Sequence, residues 1–194
     1  MKKYFLVTIT LISFTACDLF TTREAEKPDQ SRSNFQPPVE PAIVVSNLKN
    51  SLSDKNIENY ISCFVDTIFS QRTFNFSASS EAISLYQIFL QGWGLNEEKR
   101  YLSGAINKVP KDFPITLTLT NENYSSLSGD SLIYTSTYFL SLPVLSGDPT
   151  PANYAGNLQF NMLRDSRSEW VIYYWKDTKS QTLPSWSELK GSFY

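Results

Sequence analysis

The chain contains no histidine. That one absence removes His–Asp dyads, Ser–His–Asp triads and histidine-ligated metals together. The groups left for chemistry are 19 acidic residues, 11 tyrosines and two cysteines. A catalytic carboxyl must reach a substrate proton and have its pKa tuned by burial. The strand-like segments 115–120, 131–141, 153–163 and 170–176 contain no Asp or Glu. Asp112, Asp130, Asp148, Asp165, Glu169 and Asp177 fall at turns and helix starts, the usual positions of solvated or capping carboxylates. Glu58 lies on the polar side of its predicted helix. Asp66 follows an apolar stripe and is the one acid whose position admits a general base. With tyrosines around it, it would support isomerase, dehydratase or hydrolase chemistry. No cluster has metal-ligand spacing, and no metal or other cofactor is expected.

The two cysteines read differently. Cys63 sits in the apolar stretch Tyr60-Ile61-Ser62-Cys63-Phe64-Val65 and reads as a small buried hydrophobe, with no histidine to activate it. Cys17 follows a positive Met1-Lys2-Lys3 and a mostly apolar run from Tyr4 to Phe14 that is too short to span a bilayer. Phe14-Thr15-Ala16-Cys17 resembles a bacterial lipobox, with Phe14 where leucine is usual. The resemblance implies that residues 1–16 are a lipoprotein signal peptide. It also implies that Cys17 carries a thioether-linked diacylglycerol and an amide-linked acyl chain such as palmitate. Several chains give lasting attachment, since each buried methylene contributes about 0.8 kcal/mol. The expected location is the bacterial cell envelope, on the periplasmic or surface face of a membrane. A plain secretory peptide is the alternative.

Residues 17–40 are rich in Pro, Ser, Thr and Gln, and read as a lipidated cysteine followed by a flexible tether. Residues 41–194 then form one domain. A hydrophobic content of 41% and aromatic content of 14% exclude a disordered chain. The net charge of −2 gives no electrostatic reason to bind nucleic acid.

The domain begins with helices. Val44, Val45, Leu48 and Leu52 have helical spacing, as do Ile57, Tyr60, Ile61, Phe64 and Val65. A first strand is expected over Ile68 to Phe76. Ser79-Ser80 starts a third helix, with Ile83, Tyr86, Phe89, Leu90 and Trp93 on one side. Asn96-Glu97-Glu98 starts a fourth, carrying Tyr101, Leu102, Ala105 and Ile106. After Pro110 the period changes to two: Ile115, Leu117, Leu119; then Leu132, Tyr134, Tyr138, Leu140; then Tyr154 to Met162; then Trp170 to Trp175. A short helix through Lys190 follows Pro184-Ser185. Helices first and strands afterwards imply an α+β fold, with N-terminal helices packed on an antiparallel sheet.

Two segments carry a more specific resemblance. Asp54-Lys55-Asn56-Ile57-Glu58-Asn59-Tyr60 before an aromatic strand looks like the opening of the nuclear-transport-factor-2-like superfamily. Trp170-Val171-Ile172-Tyr173-Tyr174-Trp175-Lys176-Asp177, a loop, and Ser185-Trp186-Ser187-Glu188-Leu189-Lys190-Gly191 are similar to the tail of its uncharacterised bacterial lipoproteins. The resemblance implies a strongly curved, cone-shaped sheet (cystatin-like in outline) wrapped over helices. Residues 90–106 depart from the pattern by being longer and glycine-punctuated.

In such a cone Tyr60, Phe64, Tyr86, Trp93, Tyr134, Tyr138 and Phe160 would line a concave pocket for a small apolar ligand. The alternative is that they fill the core, which a domain of this size needs. The opposite face offers Thr116, Thr118, Asn157, Gln159 and Asn161 with Phe139, Tyr173 and Trp175, the composition of a homodimer or envelope-protein interface. Alternatively, residues 186–194 fold back over Tyr173 and Trp175. Non-catalytic binding by a lipid-anchored domain is the favoured reading.

Overall fold

The computed structural model describes residues 34–180 and 182–193. The expected signal peptide, Cys17 and most of the tether lie outside the described residues. Residues 34–40, expected in the tether, run along the domain. The Gln36 backbone and the Asn47 amide exchange two hydrogen bonds of 2.9 and 2.7 Å, and the Trp170 N–H donates to the Pro38 carbonyl at 2.8 Å.

The described elements, in chain order, are α1 (Pro41–Ser53), α2 (Ile57–Ile61), β1 (Asn75–Ser77), α3 (Ser80–Leu90) and α4 (Leu95–Lys108). Then come β2 (Thr116–Ser128), β3 (Ser131–Ser141), β4 (Asn153–Arg164), β5 (Trp170–Lys179) and α5 (Trp186–Ser192). The helices start where side chains satisfy their first free N–H groups. Asn56 accepts from the Asn59 N–H before α2, and Ser79 accepts from the Ala82 N–H before α3. Ser185 and Glu188 form a reciprocal capping box at α5.

The five strands form one curved, unclosed sheet in the order β1-β5-β4-β3-β2. It is mixed rather than wholly antiparallel, because β1 runs parallel to β5. The strand expected over Ile68–Phe76 is reduced to Asn75–Ser77. A turn closed by the Phe69 N–H on the Asp66 carbonyl interrupts it, and Ile68 points into solvent. Upstream of that turn, Cys63 to Val65 bridges to Ile172.

Alternation sorts β3 and β4 cleanly. Leu132, Tyr134, Tyr138 and Leu140 of β3 and Tyr154, Leu158, Phe160 and Met162 of β4 face the core. Gly156 sits among them because a Cβ there would lie 2.3 Å from the Thr178 carbonyl oxygen and 2.7 Å from the Tyr138 hydroxyl. β5 does not keep its parity. Its register with β4 shifts between Asn161 and Met162, so Tyr173 is passed over as the extra residue of a bulge. Ile172 and Trp175 therefore both point inward although they lie three apart. The reading that put Trp175 beside Tyr173 on the outer face is corrected by that bulge. Trp175 is wholly buried, Tyr173 half-buried and Phe139 exposed.

Candidate functional site

The concave side of the sheet is occupied by the protein itself. α5 enters it with Trp186 and Lys190, four residues apart and so on one helix face. Trp186 meets Trp175 edge-on at 4.7 Å and Tyr138 at 5.5 Å. Phe64, Phe76 and Phe160 close around Trp175.

Beyond Trp186 lies a fully buried ion pair. The Lys190 ammonium donates to Oε1 of Glu98, and both side chains have no exposed surface. Trp93 Nε1 donates to the same oxygen at 2.8 Å, and the Tyr60 hydroxyl donates to Oε2 at 2.8 Å. Tyr101 shares a 2.9 Å hydrogen bond with Tyr60 and accepts from Trp186 Nε1 at 3.1 Å. Four rings surround the ammonium: Trp175 and Phe76 at 3.6 and 3.7 Å, Tyr101 at 5.3 Å and Trp93 at 5.6 Å. A buried charge persists only when paired and hydrogen-bonded. Here the carboxylate has three donors and the cation has a carboxylate and aromatic faces.

A second buried acid anchors the start of the same helix. Asp177 accepts from the Tyr138 hydroxyl at 2.8 Å, the Ser187 N–H at 2.7 Å and the Ser187 hydroxyl at 2.5 Å. Tyr138 accepts in turn from the Trp186 N–H at 2.7 Å. Burial raises the Asp177 carboxyl above its ordinary value, against those hydrogen bonds and the charge of Lys190. Of the solvated or capping roles expected for Asp177, it takes the capping one, and it is buried within β5 rather than placed at a turn. Burial also raises the Tyr60, Tyr101 and Tyr138 hydroxyls.

Burial pulls the Lys190 ammonium down to about 8 from 10.5, against the opposing pull of Glu98. Between those values the unfolded chain binds more protons at this residue than the folded one. Its contribution to stability thus grows as pH rises through that window and is lost as pH falls through about 8. The melting temperature of the wild type should gain on that of Lys190→Met as pH is raised from about 8 to about 9.5. A gap that stays flat or reverses would contradict this.

The candidate residues have clear places. Tyr60, Phe64, Trp93 and Phe160 converge on Trp175 and Glu98 as packed interior, and Tyr138 is buried against Trp186 and Asp177. Tyr134 is buried further along the sheet, stacked on Phe160 and donating to Glu122 at 2.7 Å. Tyr86 is half-buried in α3 against Gly191 of α5, where a Cβ would lie 2.4 Å from its ring. Asp66 is not brought together with these tyrosines. It accepts the Ile68 N–H at 2.8 Å in a surface turn, in a shallow groove with Glu58, Lys99 and Arg167. Cys63 is buried, its thiol raised by desolvation, and it donates to the Asn59 carbonyl. No group of three or more His, Cys, Asp or Glu able to hold a metal occurs among the described residues.

Sequence reasoning missed Glu98, Asp177 and Lys190. Glu98 sits in the first turn of α4 and Lys190 in the last turn of α5, where acids and bases ordinarily face solvent and complement the helix dipole. The available signal was Trp186 with Lys190 at helical spacing in a segment otherwise free of large apolar residues except Leu189.

Solved structures share the fold. A candidate aromatic ring hydroxylase from Novosphingobium aromaticivorans superposes with a TM-score of 0.56 at 11% identity, over 79% of this chain and 96% of that one. A candidate dehydratase of the NTF2-like family from Streptomyces avermitilis gives 0.52 at 13% identity, over 73% and 94%. The chain has the nuclear-transport-factor-2-like fold. A candidate scytalone dehydratase from N. aromaticivorans shares the cone at a TM-score of 0.53 and 11% identity, over 71% and 80%. No family model matches the sequence, and no curated protein matches it. At these identities the likeness is one of fold. In this nuclear-transport-factor-2-like cone, Trp186 and Lys190 stand where the curve of the sheet would otherwise leave a concavity.

Proposed function

We propose that this chain is a lipid-anchored protein of the bacterial cell envelope that acts by binding an envelope protein, without chemistry in its cone. The carrying observation is the occupancy of the cone. The buried carboxylates Glu98 and Asp177 are both engaged by α5, which leaves no free acid there to serve as a base. Binding then falls to the outside of the sheet. Its register sets Thr120, Thr137, Asn157 and Thr178 in one cross-strand row and Asn123, Thr135, Gln159 and Lys176 in the next. Exposed Phe139 and half-buried Tyr173, with Arg72 stacked 4.6 Å from its ring, add the aromatic content that protein interfaces favour. The anchor is read from the Phe14-Thr15-Ala16-Cys17 motif. Among the described residues no helix is long and apolar enough to cross a membrane.

Native mass spectrometry of the protein purified from its host's envelope tests the binding half. A mass equal to the acylated chain, alone or with a stoichiometric protein, agrees with a filled cone. A retained small organic molecule would overturn it. For the anchor, wild type should incorporate labelled palmitate and float with membranes, and Cys17→Ala should do neither. Wild type that takes up no label would remove the lipid from the proposal.

A further inference from the structure

The sheet ends at β1 with an open edge. Among the described residues β1 pairs with β5 alone, and no further strand lies beyond it. α3 begins after Ala78 and Ser79 and stands off the strand rather than covering it. Between the two is a groove of about 380 Å³, with apolar walls from Phe76, Ala78, Ile83 and Leu90 and the amides of Gln87 and Gln91 on the helix side. A free strand edge presents backbone N–H and C=O groups that another extended chain satisfies in register.

At its Asn75 end this groove meets a second, of about 520 Å³, because Asn75 and Tyr174 line both. Each lies within the span of about 300–1,000 Å³ usual for ligand sites. The bulge of β5 shapes the second groove. It leaves Tyr173 facing outward, and the Arg72 guanidinium stacks 4.6 Å from the centre of that ring. Arg164 and Arg167 also lie over rings, and each has a carboxylate besides, from Asp130 and Asp165. Arg72 has the ring without the acid among the described residues. None of the residues lining the two grooves is Asp, Glu or Lys, so Arg72 is their single charge.

That charge narrows the occupant. A guanidinium held flat by an aromatic ring, with its fork unoccupied, matches a carboxylate. A nucleic acid or an anionic bilayer calls for several cations, and the grooves supply one. We propose that the groove along the free edge of β1 binds an extended segment of a partner protein, which adds to the sheet as a strand and sets a carboxylate on Arg72. This deepens the reading of the chain as a binder of an envelope protein and rests on it. Backbone pairing with β1 supplies affinity. Selectivity comes from one apolar side chain against Phe76 and Leu90 and from the acid at Arg72.

The test screens random short synthetic peptides, with free or amidated C-termini, against the acylated full-length protein in detergent micelles. Retained peptides should share a carboxylate at one fixed place and an apolar residue along the chain from it. Arg72→Gln should weaken the best of them about tenfold, and Ile83→Glu should weaken it too. Amidating the C-terminus or the acidic side chain of the peptide shows which carboxylate is read, and the effective change should cost nothing further in Arg72→Gln. Methylating alternate peptide nitrogens should abolish binding, as strand pairing requires. Retained peptides that lack an acid, bind Arg72→Gln equally well or tolerate methylation throughout overturn the proposal, as does the retention of none. Displacement by inorganic phosphate at the peptide's own concentration would assign Arg72 to a phosphate instead. Each of these failures leaves an envelope protein held elsewhere on the outer sheet intact. Native mass spectra without any partner protein, while the peptide still depends on Arg72, would remove that reading and keep the groove.

Discussion

Glu98→Gln and Lys190→Met should each destabilise the domain by about 3–5 kcal/mol, and the double replacement by much less than their sum. Glutamine keeps the shape of Glu98 but leaves an ammonium in a cage of rings without its paired carboxylate, with only the more distant Asp177 of opposite charge. Methionine keeps most of the length of Lys190 but leaves a carboxylate with two neutral donors, Trp93 and Tyr60. Removing one partner of a buried pair strands the other. Removing both leaves an amide and a thioether among aromatic faces, which methionine packs against well. Domains of this kind have only about 5–15 kcal/mol to lose, so each single variant should unfold at markedly lower denaturant. Urea midpoints for the four proteins of the cycle decide the matter. Additive losses would mean that the two charges do not depend on one another.

Trp186→Ala should cost about 3–5 kcal/mol and leave an apolar cavity in the cone. The wild-type indole is wholly buried, stands edge-on to Trp175 and donates to Tyr101. The walls left behind are Tyr138, Trp175 and Tyr101, too rigid to collapse fully into the space. Such a cavity, apolar except for the Tyr101 hydroxyl freed by the loss of the indole N–H, accepts a ring of the right size. Indole should raise the melting temperature of Trp186→Ala in a concentration-dependent way and leave the wild type unchanged. An equal shift in both proteins would place the binding elsewhere. No shift in either would mean that the cone relaxes around the loss and holds no latent pocket.

Much of this architecture was legible because one face of β3 and of β4 is buried along its length. The alternation of Leu132, Tyr134, Tyr138 and Leu140 marks β3, and the four-residue spacing of Val44, Leu48 and Leu52 marks α1. The bulge in β5 was not legible, since an extra residue leaves no compositional trace, and with it went the side on which Trp175 lies. α3 carries a core-like stripe that the domain does not fully cover, so periodicity alone assigned Ile83 and Phe89 inward. The central ion pair was hidden for a different reason. Glu98 and Lys190 occupy the helix-end positions where charge is ordinary, and only the tertiary fold buries them together. The aromatic set was recognisable as a set. Whether its members enclosed a space depended on Trp186, which the sequence places far from most of them.

That distance bears on the order in which the domain can form. Glu98 precedes the lysine that neutralises it by 92 residues, and Tyr138 precedes the backbone N–H of Trp186 by 48. During synthesis, every helix and strand of the fold emerges before α5 does. Until then the concave face holds two carboxylates against apolar walls with no cation to meet them, and closing the sheet over them is unfavourable. Such contacts between distant parts of a chain also form slowly. A chain of this sequence is thus expected to stay open over its concave face until α5 can dock there.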